Sequence, residues 1–152
     1  MKTGNRMILP LSGEEIAVKL EEKFPGSIAE SGKDSFLVKS GFLLTVASYL
    51  KDTPGLDFDF LSYVTAVDYY DYFEVVYHLI SLEQDHSLVM KTRCYGRDNL
   101  SLPSVVSLWR GADYQEREIY DLMGISFDDH PNMRRIFLWE GFEGHPLRRD
   151  YL

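Results

Sequence analysis

Apolar positions recur with two different periods along the chain. Ile16, Leu20 and Phe24 return every four residues with Ala17 beside them, which predicts a helix, and Pro25-Gly26 ends the run. Its start is marked by Ser12-Gly13-Glu14-Glu15. The Ser12 hydroxyl can accept from the Glu15 amide while both acids favour the positive end of the helix dipole. Leu43, Val46, Ala47 and Leu50 predict a second helix within residues 42–50, ended by Pro54-Gly55. Its few charges suggest cover on both faces. Between these helices, Ser27–Glu30 and Ser35–Lys39 flank the Gly32-Lys33-Asp34 turn as a hairpin.

The period then shortens to two. Leu61–Val67, Tyr72–Leu82 and Ser87–Tyr95 are rich in Val, Tyr, Phe, Leu and Ile, with acidic turns at 68–71 and 83–85, and predict three antiparallel strands. After Pro103, Ser104–Trp109 and Ala112–Met123 read as helical segments separated by Gly111, the second closed by Gly124. Residues 125–152 follow neither period, yet hold Phe127, Phe137, Trp139, Phe142 and Tyr151. An aperiodic stretch this apolar must bury its side chains somewhere, so it is expected to lie against another protein. The predicted fold is α+β in two layers: a mostly antiparallel sheet, helices packed on one face, and an extended C-terminal tail. Residues 1–124 form the α+β domain and 125–152 an extended docking segment with no fold of its own.

The composition narrows the functions. With 152 residues the chain is long enough for one core without disulfide or metal support. A net charge of −8 is the wrong sign for a protein that neutralises phosphates, so no nucleic-acid partner is expected. The uncharged stretches 40–50 and 99–109 fall short of the ~20 residues of a bilayer span. Lys2 and Arg6 precede only Met7, Ile8 and Leu9 before Pro10, too short a run for a signal peptide. A cytosolic chain that meets the membrane only through partners is expected. Cys94, the single cysteine, can form neither an intramolecular disulfide nor a cluster site alone, and reads as a small core residue.

No phosphate-binding glycine loop, nucleophile elbow or zinc-protease motif is present, and the four histidines lack metal-ligand spacing. His130 and His145 each precede a proline and read as turn residues. The densest charge pattern runs from Asp113 to Asp121. On a helical wheel Glu116 shares the apolar stripe of Ala112, Ile119 and Met123, which demands a partner for its carboxylate. Arg134-Arg135 and Arg148-Arg149 are the expected partners, because guanidinium forks bind carboxylates in pairs of hydrogen bonds. Asp113, Arg117 and Asp121 lie opposite, as a solvated i, i+4 ladder. Acid–base chemistry by Glu116 and His130 is the competing reading.

The segment Glu116-Arg117-Glu118-x-x-Asp121-x-x-Gly124, continued by His130-Pro131-x-x-Arg134-Arg135-Ile136 and by Pro146-Leu147-Arg148-Arg149-Asp150-Tyr151, resembles the signature of the 30 kDa subunit of respiratory complex I. That family comprises the C-type subunits of bacterial NADH-quinone oxidoreductase and their chloroplast and cyanobacterial counterparts, the J-type subunits. Pro103-Ser104-Val105, Trp109, Gly111, Ala112 and Tyr77-His78-Leu79 extend the likeness over residues 11–151. Arg149 stands where the family usually has Lys, and Phe137 where an aliphatic residue is usual.

The resemblance implies a peripheral-arm subunit that binds no cofactor itself, in a complex that uses NADH, FMN, iron–sulfur clusters and quinone. It also implies docking on the 49 kDa-like subunit, on the cytoplasmic side of the cell membrane, with Glu116, Arg117, Glu118, Asp121, Gly124, His130, Pro131, Arg134, Arg135, Pro146, Arg148, Arg149 and Asp150 as signature and docking residues. The equivalent subunit of a membrane-bound hydrogenase or a ferredoxin- or F420-linked oxidoreductase shares this likeness. A stand-alone adaptor is the alternative from another class.

Overall fold

The computed structural model describes residues 7–151; the expectation placed on Lys2 and Arg6 lies outside them. A short strand β1 (Leu9–Pro10) leads into helix α1 (Gly13–Lys23), whose first turn is capped by the Ser12 hydroxyl accepting from the Glu15 amide. Strands β2 (Ile28–Ser31) and β3 (Phe36–Val38) form the expected hairpin, and a 3-10 turn at Ser40–Phe42 enters α2 (Leu43–Asp52). Three long strands follow: β4 (Phe60–Asp68), β5 (Tyr72–Ser81) and β6 (His86–Tyr95).

These strands build a six-stranded sheet of order β2-β3-β6-β5-β4, with β1 also on β6. The β4-β5-β6 meander and the β2-β3 hairpin are antiparallel, while β3 and β1 join β6 in parallel, so the sheet is mixed. A register shift between Leu61 and Tyr63 resets the alternation of β4, placing Leu61 and Val64 in the core. Phe73, Val75, Tyr77 and Leu79 of β5 are fully buried on that inner face. They meet Ile16, Ala17 and Leu20 of α1 and Val46, Ala47 and Leu50 of α2, the apolar stripes read from the sequence. The two-layer α+β architecture is as expected.

Past β6 the chain forms β7 (Ser101–Pro103), α3 (Ala112–Met123) and β8 (Ser126–Asp128). β7 and β8 pair in parallel, with α3 inside the crossover between them.

Three expectations are corrected. Residues 104–109 are not a helix: Leu108 and Trp109 donate to the Val105 carbonyl, a single turn that Gly111 does not extend. Residues 126–128 of the supposedly aperiodic segment are a strand, and Ile125 and Phe127 lie in the body core. α2 is covered on one face only, with Leu44 and Thr45 turned outward.

Candidate functional site

The signature residues converge on α3 and the chain that wraps it. Glu116, in the apolar stripe of α3, is fully buried as its position on the wheel requires. The expected arginines do not reach it. Its Oε1 accepts from the Ser104 hydroxyl at 2.6 Å and its Oε2 from the Val105 amide at 2.9 Å, both in the loop after β7. The loop delivers these donors because Ser104 also accepts the Val106 amide at 3.1 Å, which shapes its own turn. Burial pushes the Glu116 carboxyl up to about 7, against the pull of these two hydrogen bonds, and Asp113 adds a smaller push in the same direction. Beneath it, the buried Tyr77 hydroxyl is raised by burial and then by the charges of Glu116 and Cys94.

Asp121, on the same helix, is a buried carboxylate as well, and the solvated ladder drawn for it is wrong. It is fully buried. Its Oδ1 accepts from the Arg135 guanidinium at 2.7 Å. Its Oδ2 accepts from the amides of Ile136, Phe137 and Leu138 at 3.1, 2.7 and 3.0 Å. Burial would raise this carboxyl, but the three amides and Arg135 together hold it below its ordinary value. Arg135 spends its other nitrogen on the carbonyls of Phe142 and Gly144, at 3.0 and 2.9 Å. Two further contacts clamp the same segment: Arg117 donates to the Arg134 and Arg135 carbonyls, both at 3.0 Å, and His145 Nδ1 donates to the Asp121 carbonyl at 2.9 Å.

His130 is a packed residue as well as a turn residue. Its Nδ1 accepts the Asn132 amide at 2.9 Å, which leaves the proton on Nε2, facing the Asp113 carbonyl at 3.1 Å. Arg134 turns to the Asn132 side chain at 2.8 Å. Glu118 is exposed on α3, and Pro131 and Pro146 bracket the turns of the wrapping segment. Gly124 closes α3 at φ 81°, and a Cβ there would lie 2.8 Å from the His145 ring.

The end of the chain is fixed by residues that sequence reasoning missed. Arg97, just past β6, forks onto both oxygens of Asp68 at 2.7 and 2.8 Å and reaches Asp150 at 3.0 Å. Asp68 also accepts the Arg149 amide at 2.7 Å. Arg148 lies within 3.1 Å of Asp150 and donates to the Arg97 carbonyl. The Arg97 fork holds the Asp68 carboxyl far below its usual range, with the Arg149 and Tyr70 amides assisting against burial.

The wrapped segment is tied down through its backbone, whose amides and carbonyls bond Asp121, Arg117 and Arg135, while large apolar groups turn outward. Phe137, Trp139 and Leu147 are 62%, 69% and 60% exposed. Cys94 sits in the sheet core with its thiol pushed up to about 11 by burial. Among the described residues no cluster of His, Cys, Asp and Glu is arranged to hold a metal, and no helix is long and apolar enough to cross a membrane.

The family described as "Respiratory-chain NADH dehydrogenase, 30 Kd subunit" matches residues 36–152. The chain belongs to this family. It is 41% identical over 126 residues to the second C-type subunit of NADH-quinone oxidoreductase from Rhizobium meliloti, covering 81% of this chain and 68% of that one. It is likewise 41% identical over 140 residues to the C-type subunit of NADH-quinone oxidoreductase from Roseiflexus sp., covering 90% and 80%. Among solved structures it resembles a chain of the membrane-bound sulfane sulfur reductase, an archaeal respiratory membrane complex, with a TM-score of 0.74 and 26% identity over 91% of this chain and 85% of that one. The family's match begins at β3 and takes in β3 to β8, α2, α3 and the wrapping segment, so Glu116 and Asp121 both lie inside it.

Proposed function

We propose that the chain is a peripheral-arm subunit of a proton-translocating NADH- or NAD(P)H-quinone oxidoreductase, holding no cofactor itself. It docks through α3 and residues 125–152 on a 49 kDa-like subunit, on the cytoplasmic side of the membrane. The observation that carries this reading is the contrast within the tail: Asp121 and Arg135 give it one fixed shape, while Phe137, Trp139 and Leu147 are left facing outward. An extended segment held rigid by its backbone and bearing aromatic anchors has the composition of an interface core.

The acid–base alternative is poorly served by the geometry. Glu116 is sealed in the core against Ser104 and Val105, and His130 is occupied by Asn132 and Asp113. The likeness to a chain of an archaeal respiratory membrane complex supports a second reading, the equivalent subunit of a related membrane-bound oxidoreductase.

Affinity purification of the tagged full chain from detergent-solubilised membranes, with mass spectrometry and an absorption spectrum, tests the reading. Co-recovery of a 49 kDa-like subunit, other peripheral-arm subunits and iron–sulfur absorbance is expected. Recovery of the chain alone would overturn it, leaving the adaptor. The electron-donor subunits recovered distinguish the NADH-linked complex from its relatives.

A further inference from the structure

Besides the tail, one recess in the body has the shape and charge of a docking site. It lies between α2, the loop after β7 and the turn after β8, encloses about 340 Å³, and is walled by Leu44, Pro103, Val106 and Pro131. Asp128 and Asp129 stand among these apolar walls, and among the described residues no basic side chain lines the recess. Neither carboxylate forms an ion pair or side-chain hydrogen bond with another described residue, unlike Asp68 and Asp121. Leu44 and Thr45 are turned outward at the start of α2, where its first two turns carry no charged residue.

We propose that this groove receives a lysine or arginine side chain presented by a neighbouring protein subunit. The inference rests on the reading that the chain works inside a multisubunit assembly, and it adds a second contact, separate from the tail, whose occupant is defined by charge. Apolar walls with paired carboxylates match a long basic side chain, whose aliphatic stem covers hydrophobic surface while its cationic head takes the acids. The groove is also preformed. The Ser104 amide donates to the Asp128 carbonyl at 2.9 Å, joining two of its walls, and Ser104 is held from behind by Glu116. Asp129 is fixed in the left-handed region at φ 65°, in a turn closed by the His130 amide on the Phe127 carbonyl. A rigid site loses less freedom when its ligand arrives.

The test places a photo-cross-linking p-benzoylphenylalanine in the full chain at Ser107, an exposed residue of the groove, or at Trp139 in the tail, and irradiates the complex purified from membranes. A cross-link from Ser107 to a peptide of another subunit that contains Lys or Arg is expected. Asp128→Asn with Asp129→Asn should lower that yield about tenfold at moderate salt and leave the Trp139 cross-link unchanged. A complex that cross-links from Trp139 but not from Ser107 overturns the groove and spares the subunit reading. So does a Ser107 cross-link to a peptide without basic residues, to a second copy of this chain, or one insensitive to the double substitution. Failure of the chain to co-purify with any subunit overturns both.

Discussion

The Asp121 carboxylate divides its two oxygens between Arg135, at 2.7 Å, and three consecutive amides, at 2.7 to 3.1 Å. One side chain thus turns a stretch of extended chain without its own secondary structure into a fixed loop. Arg135 extends the arrangement to Phe142 and Gly144. Asp121→Asn would remove the charge and direct an amide donor at donors, leaving Arg135 under-compensated in a site where Asp121 is fully buried. A loss of about 3–5 kcal/mol is expected. Denaturant unfolding measures it, and hydrogen exchange should show residues 136–144 losing protection before the sheet does. Equal loss of protection in β5 and the tail would contradict this local role.

The buried carboxylates give opposite pH dependences. Glu116 titrates near 7 in the folded chain and in the ordinary glutamate range when unfolded, so the folded state binds the extra proton between those values. Stability from this residue is therefore complete at low pH and declines as pH rises toward 7, by roughly 1–3 kcal/mol. Asp68 and Asp121 are shifted downward, and their stabilisation is present above the ordinary aspartate range and lost progressively as pH falls below it toward their lowered folded values. Thermal melts from pH 3 to pH 8 should show maximum stability between about 4.5 and 6. Glu116→Gln presents an amide donor to Ser104 and an oxygen to Val105, as the protonated acid does. It should flatten the alkaline side of this profile and leave the acidic side intact; an unchanged alkaline slope would contradict the buried-charge account.

What can be read from the chain depends on how local the signal is. The Ser12 cap, the α1 and α2 stripes and the three long strands rest on spacing within one element, and all are found. The burial of Glu116 is legible for the same reason. Its partners are not, because they are neutral donors 12 and 11 residues upstream, in a loop whose apolar spacing imitates a helix. Asp121 is misplaced because the wheel assigns it to the polar face of α3, and the chain 14–17 residues downstream covers that face. The Asp68–Arg97 and Asp68–Arg149 contacts span 29 and 81 residues, and no local pattern announces either one.

Gly124 is required twice over, by its left-handed φ of 81° and by the 2.8 Å that would separate a Cβ from the His145 ring. Gly124→Ala should cost about 1–3 kcal/mol, more than at an ordinary helix terminus, because His145 cannot move without giving up the Asp121 carbonyl. Chemical denaturation checks the magnitude. If Gly124→Ala costs no more than a few tenths of a kcal/mol, the packing of His145 against the helix end is not a constraint.

Arg97 ties the end of the chain to the sheet through two carboxylates, Asp68 and Asp150, and a substitution there separates anchoring from charge. Lysine keeps the positive charge but replaces the planar fork with one point donor, which cannot hold both Asp68 oxygens and Asp150 together. Arg97→Lys should therefore lower stability by about 1–2 kcal/mol and speed exchange of the Arg149 amide, which donates to Asp68. The loop held by Asp121 is anchored separately and should keep its protection. Trp139→Ala is the complementary variant: at 69% exposure it should shift unfolding by less than about 0.5 kcal/mol. If the tail works as a docking surface, Trp139→Ala should nonetheless reduce recovery of partner subunits, whereas Arg97→Lys should do so only to the extent that residues 148–151 come loose. Full recovery with Trp139→Ala and Phe137→Ala combined would show that the exposed aromatic groups of the tail are not the anchors of the interface.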